Sequence, residues 1–201
     1  MSYHIDQISD LPNLKKLVKV AQGLALLDAI LVPEWEDRFF SFNCNWDGCG
    51  KEMMASMRDG SGQEFFLLFT NDGAIGKVKG NNSLERNEDV LKIIPKEFEQ
   101  FKNEPAFCNE DASFFFWRRF EDHAWTAAPE LPEYQFLGFL ANGINAYKEL
   151  MENYYEKFID LGLINDIFEK LDVSESELKL INPSLEVEKI QEDIREIKGG
   201  K

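Results

Sequence analysis

The sequence predicts an α+β fold, in which an antiparallel β-sheet packs against an N-terminal helix and is followed by a C-terminal helical cluster. Residues 35–79 contain short apolar runs separated by Gly, Asn and Asp turns, which is typical of consecutive antiparallel strands. Apolar residues recur at helical spacing before this region and again after residue 129. We expect one domain, made of a helix-plus-sheet core over residues 1–130 and an acidic helical extension packed on it over residues 131–201.

The first helix is predicted over residues 10–32. Asp10 and Pro12 suit its first turn, where a capping oxygen is favourable and a missing N–H costs nothing, and Pro33 ends it. The apolar residues at helical spacing are Leu14, Leu17, Val18, Ala21, Leu24, Ala25 and Leu31, whereas Lys15, Lys16 and Lys19 lie off this stripe.

The first group of strands forms the centre of the predicted fold. The run from Phe65 to Phe69 is apolar throughout, so its strand should be covered on both faces. All four Trp and 13 of the 17 Phe lie between residues 35 and 125, which places the main core in this part of the chain. The predicted strands of this group are residues 38–43, 52–58, 63–70 and 74–79.

A second group of strands is predicted as a hairpin of residues 113–119 and 123–127. This hairpin should place Trp117 and Trp125 near each other across the two strands. We expect the two groups to share one sheet or to face each other. Between them, Pro95 opens a short helix that docks on the core through two aromatic residues, Phe98 and Phe101.

The C-terminal region begins with a long apolar seam. It runs from Leu137 to Leu161 in steps of three and four residues, which predicts a helix that restarts at Asn142 and Gly143. Gly162 is expected to cap its C-terminal end.

Three further helices follow the seam. The first is amphipathic over residues 163–171. The second is predicted by Ser174 and Glu177, which are spaced as a capping box. Apolar residues from Val187 to Ile197 indicate the last helix.

The charge of the chain is strongly acidic, with 37 Asp and Glu against 22 Lys and Arg and a formal net charge of −15. A field of this sign repels nucleic-acid phosphates and anionic lipid surfaces, and it favours a basic protein partner. The simpler alternative is that the carboxylates only keep the protein soluble.

Cysteine usage and the first residues indicate the compartment. Three cysteines, an odd number, favour reduced thiols, and no signal peptide or eighteen-residue apolar run is visible, so we expect a cytoplasmic protein that does not enter a membrane. Cys44 and Cys49 share a loop, but structural zinc needs four ligands at closer spacing, and Cys108, His123 and His4 are isolated. We therefore expect free thiols, no metal and no cofactor.

The densest mixture of charged and aromatic residues lies on the second hairpin, which we take as the candidate binding site. Arg118 and Arg119 should point to opposite faces of a strand, so one of them is expected to reach a buried carboxylate or a pocket. The alternative is a hairpin end with surface ion pairs. The candidate binding residues are Arg58, beside a turn of the first group, and Trp117, Arg118, Glu121, Asp122, His123 and Trp125 on the hairpin.

Several stretches resemble a family of uncharacterised bacterial proteins of similar length. The first two are Glu-Trp-Glu-x-Arg-Phe-Phe-Ser-Phe at 34–42 and Met-Ala-Ser-Met-Arg at 54–58. The others are residues 60–66, 95–101, 104–107, 116–118 and the acidic, Tyr-rich 152–160. The resemblance covers residues 34–197 and implies a bacterial cytoplasmic protein, but it brings no activity with it.

A second resemblance involves Leu-Pro-Glu-Tyr-x-Phe-Leu at 131–137 together with Asn142 and Gly143. This stretch is similar to the opening motif of the SUKH superfamily, many of whose bacterial members are immunity proteins against toxins. The resemblance implies an immunity-type inhibitor of a toxin, and the acidic charge favours a basic toxin such as a nuclease.

Two classes of function remain open. The first is an acidic protein-binding module, for which an immunity-type inhibitor is one form. The second is a small cytoplasmic enzyme that uses carboxylates and Arg in a cleft near the 117–125 hairpin. The charge favours the first class, and the glycine-containing stretches 60–62 and 73–76 read as turns rather than as nucleophile or phosphate-binding motifs.

Overall fold

The computed structural model of the protein describes residues 3–80 and 87–199. It is 47% helical and 19% strand, which confirms the predicted α+β class. The strands are β1 (His4–Ile5), β2 (Phe40–Asn43), β3 (Met53–Arg58), β4 (Glu64–Phe69), β5 (Gly73–Lys79), β6 (Phe114–Arg119), β7 (Thr126–Ala128) and β8 (Tyr134–Gln135). The helices are α1 (Leu14–Leu31), α2 (Asn87–Ile93), α3 (Glu99–Asn103), α4 (Leu137–Asn142), α5 (Ile144–Asn153), α6 (Leu161–Lys170), α7 (Glu175–Ile181) and α8 (Val187–Lys198).

Strands β2 to β7 form one antiparallel sheet whose spatial order is the order of the chain. Because β5 pairs with β6, the two predicted strand groups share this single sheet. Phe65 and Leu67 of β4 belong to the larger of two hydrophobic cores and Leu68 belongs to the smaller one. The prediction that this strand is covered on both faces is therefore confirmed. Strands β1 and β8 pair separately as a two-stranded ribbon.

Helix α1 lies between the sheet and the C-terminal helices. It begins at Leu14, later than predicted, because the Asn13 side chain caps it by accepting the Lys16 N–H at 3.0 Å, and Asp10 belongs to a separate 3₁₀ turn. Residues 23–31 are all buried, since β2 covers one side and α6 and α8 cover the other. At Gly23 a Cβ atom would lie 2.7 Å from the ring of Phe168, so glycine is needed for this close helix approach.

The other face of the sheet is covered by the segment that contains α3 and its flanking 3₁₀ turns. Phe98 and Phe101 are buried in the smaller core, which confirms that this segment docks through them. Lys77 of β5 is fully buried beneath it and donates to the Glu64 carboxylate at 3.1 Å and to the Cys108 carbonyl at 3.0 Å. This pairing allows a cation to lie inside an apolar layer.

The C-terminal helices complete the larger core, which joins their side chains to α1 and the sheet. Gly143, with φ of +48°, separates α4 from α5, so the predicted restart is confirmed. The prediction that the helix continues along the apolar seam to Leu161 is wrong, because α5 ends at Asn153 and residues 154–160 are not helical. Gly162 is in the first turn of α6 rather than at a C-terminal cap, because Asp160 caps α6 by accepting the Leu163 N–H at 3.1 Å.

The last two helices follow the sequence closely. Ser174 and Glu177 make the predicted reciprocal capping box at the start of α7. Helix α8 covers the predicted apolar residues and buries Ile190 and Ile197. No helix within residues 3–80 and 87–199 combines the length and the apolar character that a membrane crossing needs.

Candidate protein-binding surface

The second hairpin is present, but its two tryptophans do not meet. Trp117 lies opposite Thr126, so Trp125 is one residue out of this register and faces the other side of the sheet. Trp117 is buried in the smaller core, whereas Trp125 is buried in the larger core and donates its indole N–H to the Pro12 carbonyl at 2.8 Å. The prediction that they lie near each other is wrong.

The charged residues of the hairpin form surface ion pairs. The Arg119 guanidinium lies 2.9 Å from the Asp122 carboxylate and 3.6 Å from those of Glu97 and Glu121. Arg118 donates from Nε to the Asp122 carbonyl at 3.3 Å, and His123 is exposed. None of the three carboxylates is buried, so the alternative of a hairpin end with surface ion pairs describes this region.

Arg58 lies at the opposite end of the sheet, within an aromatic cluster. Its guanidinium carbon is 4.4 Å from the ring centroid of Trp35, and its backbone N–H donates to the Phe39 carbonyl at 2.8 Å. Phe39 in turn meets Tyr154 edge-on, with ring centroids 4.7 Å apart. Arg58 is thus a predicted site residue that lies beside exposed aromatic rings.

Three large aromatic side chains of this region are in contact with solvent. Trp35 is 51% exposed and Tyr154 is 58% exposed, and Phe158, further along the same non-helical segment, is 82% exposed. Trp35 packs against Arg58 and Tyr154 packs against Phe39, so these two rings belong to one exposed cluster, which is a candidate interaction site. We call Trp35, Phe39, Arg58 and Tyr154 the aromatic surface.

Acidic residues flank the aromatic surface along the chain. On one side the exposed carboxylates are Glu34, Glu36 and Asp37, which surround Trp35. On the other side Glu156 lies between Tyr154 and Phe158 and is also exposed. A partner that covers these aromatic rings therefore meets negative charge around them.

A buried carboxylate fixes the aromatic surface from beneath. Asp28 of α1 is fully buried and accepts hydrogen bonds from the Phe40 N–H at 2.9 Å, the Tyr147 hydroxyl at 2.9 Å and the Tyr155 hydroxyl at 3.1 Å. Burial raises the pKa of Asp28 to about 6, and the hydrogen bonds offset part of this rise. Since the Tyr155 ring lies 5.2 Å from that of Tyr154, Asp28 positions the segment that carries the exposed rings.

A second acidic feature lies at the other end of β3. It is a cleft of about 640 Å³ between the loop before β3 and helix α3, with Trp46 and Phe107 stacked at 5.9 Å along one wall. Burial raises the pKa of Glu52, and the nearby charges of Asp47 and Glu104 raise it further. We call this cleft the acidic groove, lined by Trp46, Asp47, Cys49, Lys51, Glu52, Leu68, Glu99, Gln100, Asn103, Glu104 and Phe107.

The loop cysteines make no shared site. Cys44 is partly buried with its Sγ 3.8 Å from the Arg195 carbonyl, whereas Cys49 is exposed. Within the part of the chain that the structure describes, no three His, Cys, Asp or Glu side chains are grouped so as to hold a metal ion.

Sequence reasoning missed most of the aromatic surface. Trp35 and the segment 152–160 enter the sequence analysis only as parts of a resemblance, and Asp28 stands within the otherwise apolar run from Leu24 to Val32. A charged residue on the buried side of a helix was the available signal. No family model, no curated protein and no solved structure matches this chain.

Proposed function

We propose that this protein is an acidic protein-binding module that captures a basic protein through the aromatic surface. The observation that carries this proposal is the exposure of Trp35 and Tyr154 in one cluster with Phe39 and Arg58. Trp, Tyr and Arg are the residues in which binding energy concentrates at protein interfaces. The flanking carboxylates and the net charge of −15 favour a partner of opposite sign.

The form of this function that we favour is inhibition of a basic toxin in the manner of an immunity protein. An enzyme that acts on nucleic acid needs a basic surface for the phosphates. An acidic module with exposed aromatic rings is complementary to such a surface and competes with the nucleic acid for it. The resemblance of residues 131–137 to the SUKH motif supports the same proposal.

The alternative enzyme has less support at the place where it was expected. Arg119 is paired with three surface carboxylates, and Trp117 and Trp125 are buried in separate cores. These residues are occupied by structural contacts, so we rank this function second.

The proposal is tested by affinity capture from the source cells with matched variants. The test variant carries Trp35→Ser and Tyr154→Ser, and the control carries Leu180→Ser, an exposed apolar residue of α7 that is 72% exposed. We expect the wild type and the control to retain a basic protein that the test variant binds at least tenfold more weakly, because removing such aromatic anchors typically costs about 2 kcal/mol or more each.

The captured protein is then purified and assayed with increasing amounts of the module. For a nuclease, cleavage of nucleic acid should stop at one module per enzyme. Equal capture by the test variant, or capture of acidic proteins only, would contradict the proposed function. A basic partner whose activity is unaffected would contradict the inhibitor form alone.

A further inference from the structure

A second cleft lies on the opposite side of α1 from the sheet. It has a volume of about 630 Å³, within the range of small-molecule sites, and opens between the start of α1, the junction of α4 with α5, and α6. It is lined by Asn13, Lys15, Lys16, Lys19, Val20, Ala141, Asn142, Gly143, Ile144, Asn145, Asn165, Phe168 and Glu169.

The cleft is basic although the protein is strongly acidic. Lys19 pairs with Glu169 at 2.7 Å, whereas Lys15 and Lys16 make no ion pair with any residue of 3–80 or 87–199. Both lie in the first turn of α1, which contains no acidic residue. Positive charge there opposes the helix dipole and weakens the helix. Helix stability therefore does not explain these lysines, and their charge attracts an anion to the cleft.

The rest of the lining offers both apolar and hydrogen-bonding groups. Val20 and Phe168 form an apolar floor, and both belong to the larger core. Asn145 and Asn165 are exposed at the rim, and each amide can donate and accept hydrogen bonds. The kink at Gly143 keeps α5 from continuing the line of α4, and this brings both helix ends to the cleft.

We infer that this cleft binds a phosphate-bearing small molecule. Its phosphate lies at Lys15, Lys16 and Lys19, since ammonium groups are suited to phosphate as point charges. Its body lies on the apolar floor, with its polar edges at Asn145 and Asn165. The site is separate from the aromatic surface, and this inference does not depend on the proposed function.

The test is calorimetric titration of the full chain with AMP, adenosine and inorganic phosphate as probes. We expect saturable binding of AMP, with adenosine and phosphate each at least tenfold weaker. Lys15→Gln with Lys16→Gln should weaken AMP at least tenfold and leave adenosine unchanged. Asn145→Ala with Asn165→Ala should weaken AMP and leave phosphate unchanged. All four residues are exposed, so folding should be retained, which circular dichroism checks.

The matched control is Lys51→Gln with Lys96→Gln, which removes the same charge from exposed positions elsewhere. It should leave AMP affinity within twofold of the wild type. Absence of AMP binding at millimolar concentration, adenosine binding as tightly as AMP, or equal weakening by the control would overturn the site. If inorganic phosphate bound as tightly as AMP, the proposed contact between the body of the ligand and the apolar floor would be wrong.

Discussion

At the scale of single residues, Asp28 links the stability of the fold to its candidate surface. It is a fully buried carboxyl group whose hydrogen-bond donors within the described residues are all neutral. Ionising it inside the core is unfavourable, which is why burial raises its pKa to about 6 from 3.8. The local sequence could not predict this arrangement, because Tyr147 and Tyr155 follow Asp28 by 119 and 127 residues.

Asp28→Asn should change how stability depends on pH. Since the pKa is higher in the folded state, the folded protein binds the extra proton, and the favourable contribution of Asp28 is complete below about pH 4 and lost as pH rises through 6. The unfolding free energy of the wild type relative to Asp28→Asn should thus fall by about 2–3 kcal/mol between pH 4 and pH 7. Urea unfolding across this range measures it.

The control is Asp6→Asn, which alters an exposed carboxylate and should leave the pH profile parallel to that of the wild type. A parallel profile for Asp28→Asn as well would show that Asp28 titrates normally in the folded protein.

Tyr155→Phe should loosen the segment that carries the exposed rings. It removes a hydroxyl donor 3.1 Å from Asp28, and loss of such a bond to a buried group costs about 1–2 kcal/mol. Amide hydrogen exchange of residues 154–160 should speed up, and the affinity for the partner should drop. Tyr154→Phe removes a hydroxyl from the neighbouring exposed ring and should leave the exchange of this segment unchanged. Unchanged exchange in Tyr155→Phe would mean that Asp28 does not position this segment.

At the scale of elements, local signals were sufficient where the chain makes local contacts. The strands β2 to β5 follow apolar runs between glycine turns, and the α7 capping box joins residues three apart, so both were predictable. The prediction of a helix through Tyr154 and Phe158 was wrong, because apolar periodicity alone does not show that α5 ends at Asn153. The prediction that Trp125 lies near Trp117 was wrong, because a one-residue change of register moves a side chain to the other face of the sheet.

Gly143→Ala tests the break between α4 and α5. The backbone at this residue, with φ of +48° and ψ of −110°, is unfavourable for any residue with a Cβ atom. We expect a loss of about 1–3 kcal/mol in the free energy of unfolding, measured by urea denaturation. Asn142→Ala, at the preceding exposed position, should change it by less than about 0.5 kcal/mol. Equal stability of Gly143→Ala and wild type would mean that the two helices can join without strain.

At the scale of the whole molecule, the sheet places two acidic features at its opposite ends. The aromatic surface lies where β3 ends at Arg58, and the acidic groove lies where β3 begins after Glu52. Composition predicts the sign of the field from the net charge of −15, but not where it acts. The fold assigns positions to the charges because residues distant in sequence meet only after the sheet has formed.

The association rate with a basic partner should fall steeply between low and physiological salt, while the dissociation rate changes less. Glu36→Gln with Asp37→Asn, beside Trp35, should slow association several-fold and flatten the salt dependence. Glu52→Gln with Glu99→Gln removes the same charge at the acidic groove and should have a smaller effect. Stopped-flow measurements at several salt concentrations separate the two. An association rate that does not depend on salt would mean that the negative charge of the protein serves only its solubility.

The position of α1 between the sheet and the last helices also has a consequence during protein synthesis. The sheet can pair as it is made, because its spatial order is the order of the chain. The second side of helix α1 is covered only when α6 and α8 have been synthesised. Lys198, the last residue of α8, is added roughly 170 residues after Leu31, which takes about 10–30 s at usual elongation rates. Throughout that interval the second side of α1 lacks its native cover, and we expect a chaperone to bind this apolar face on the ribosome.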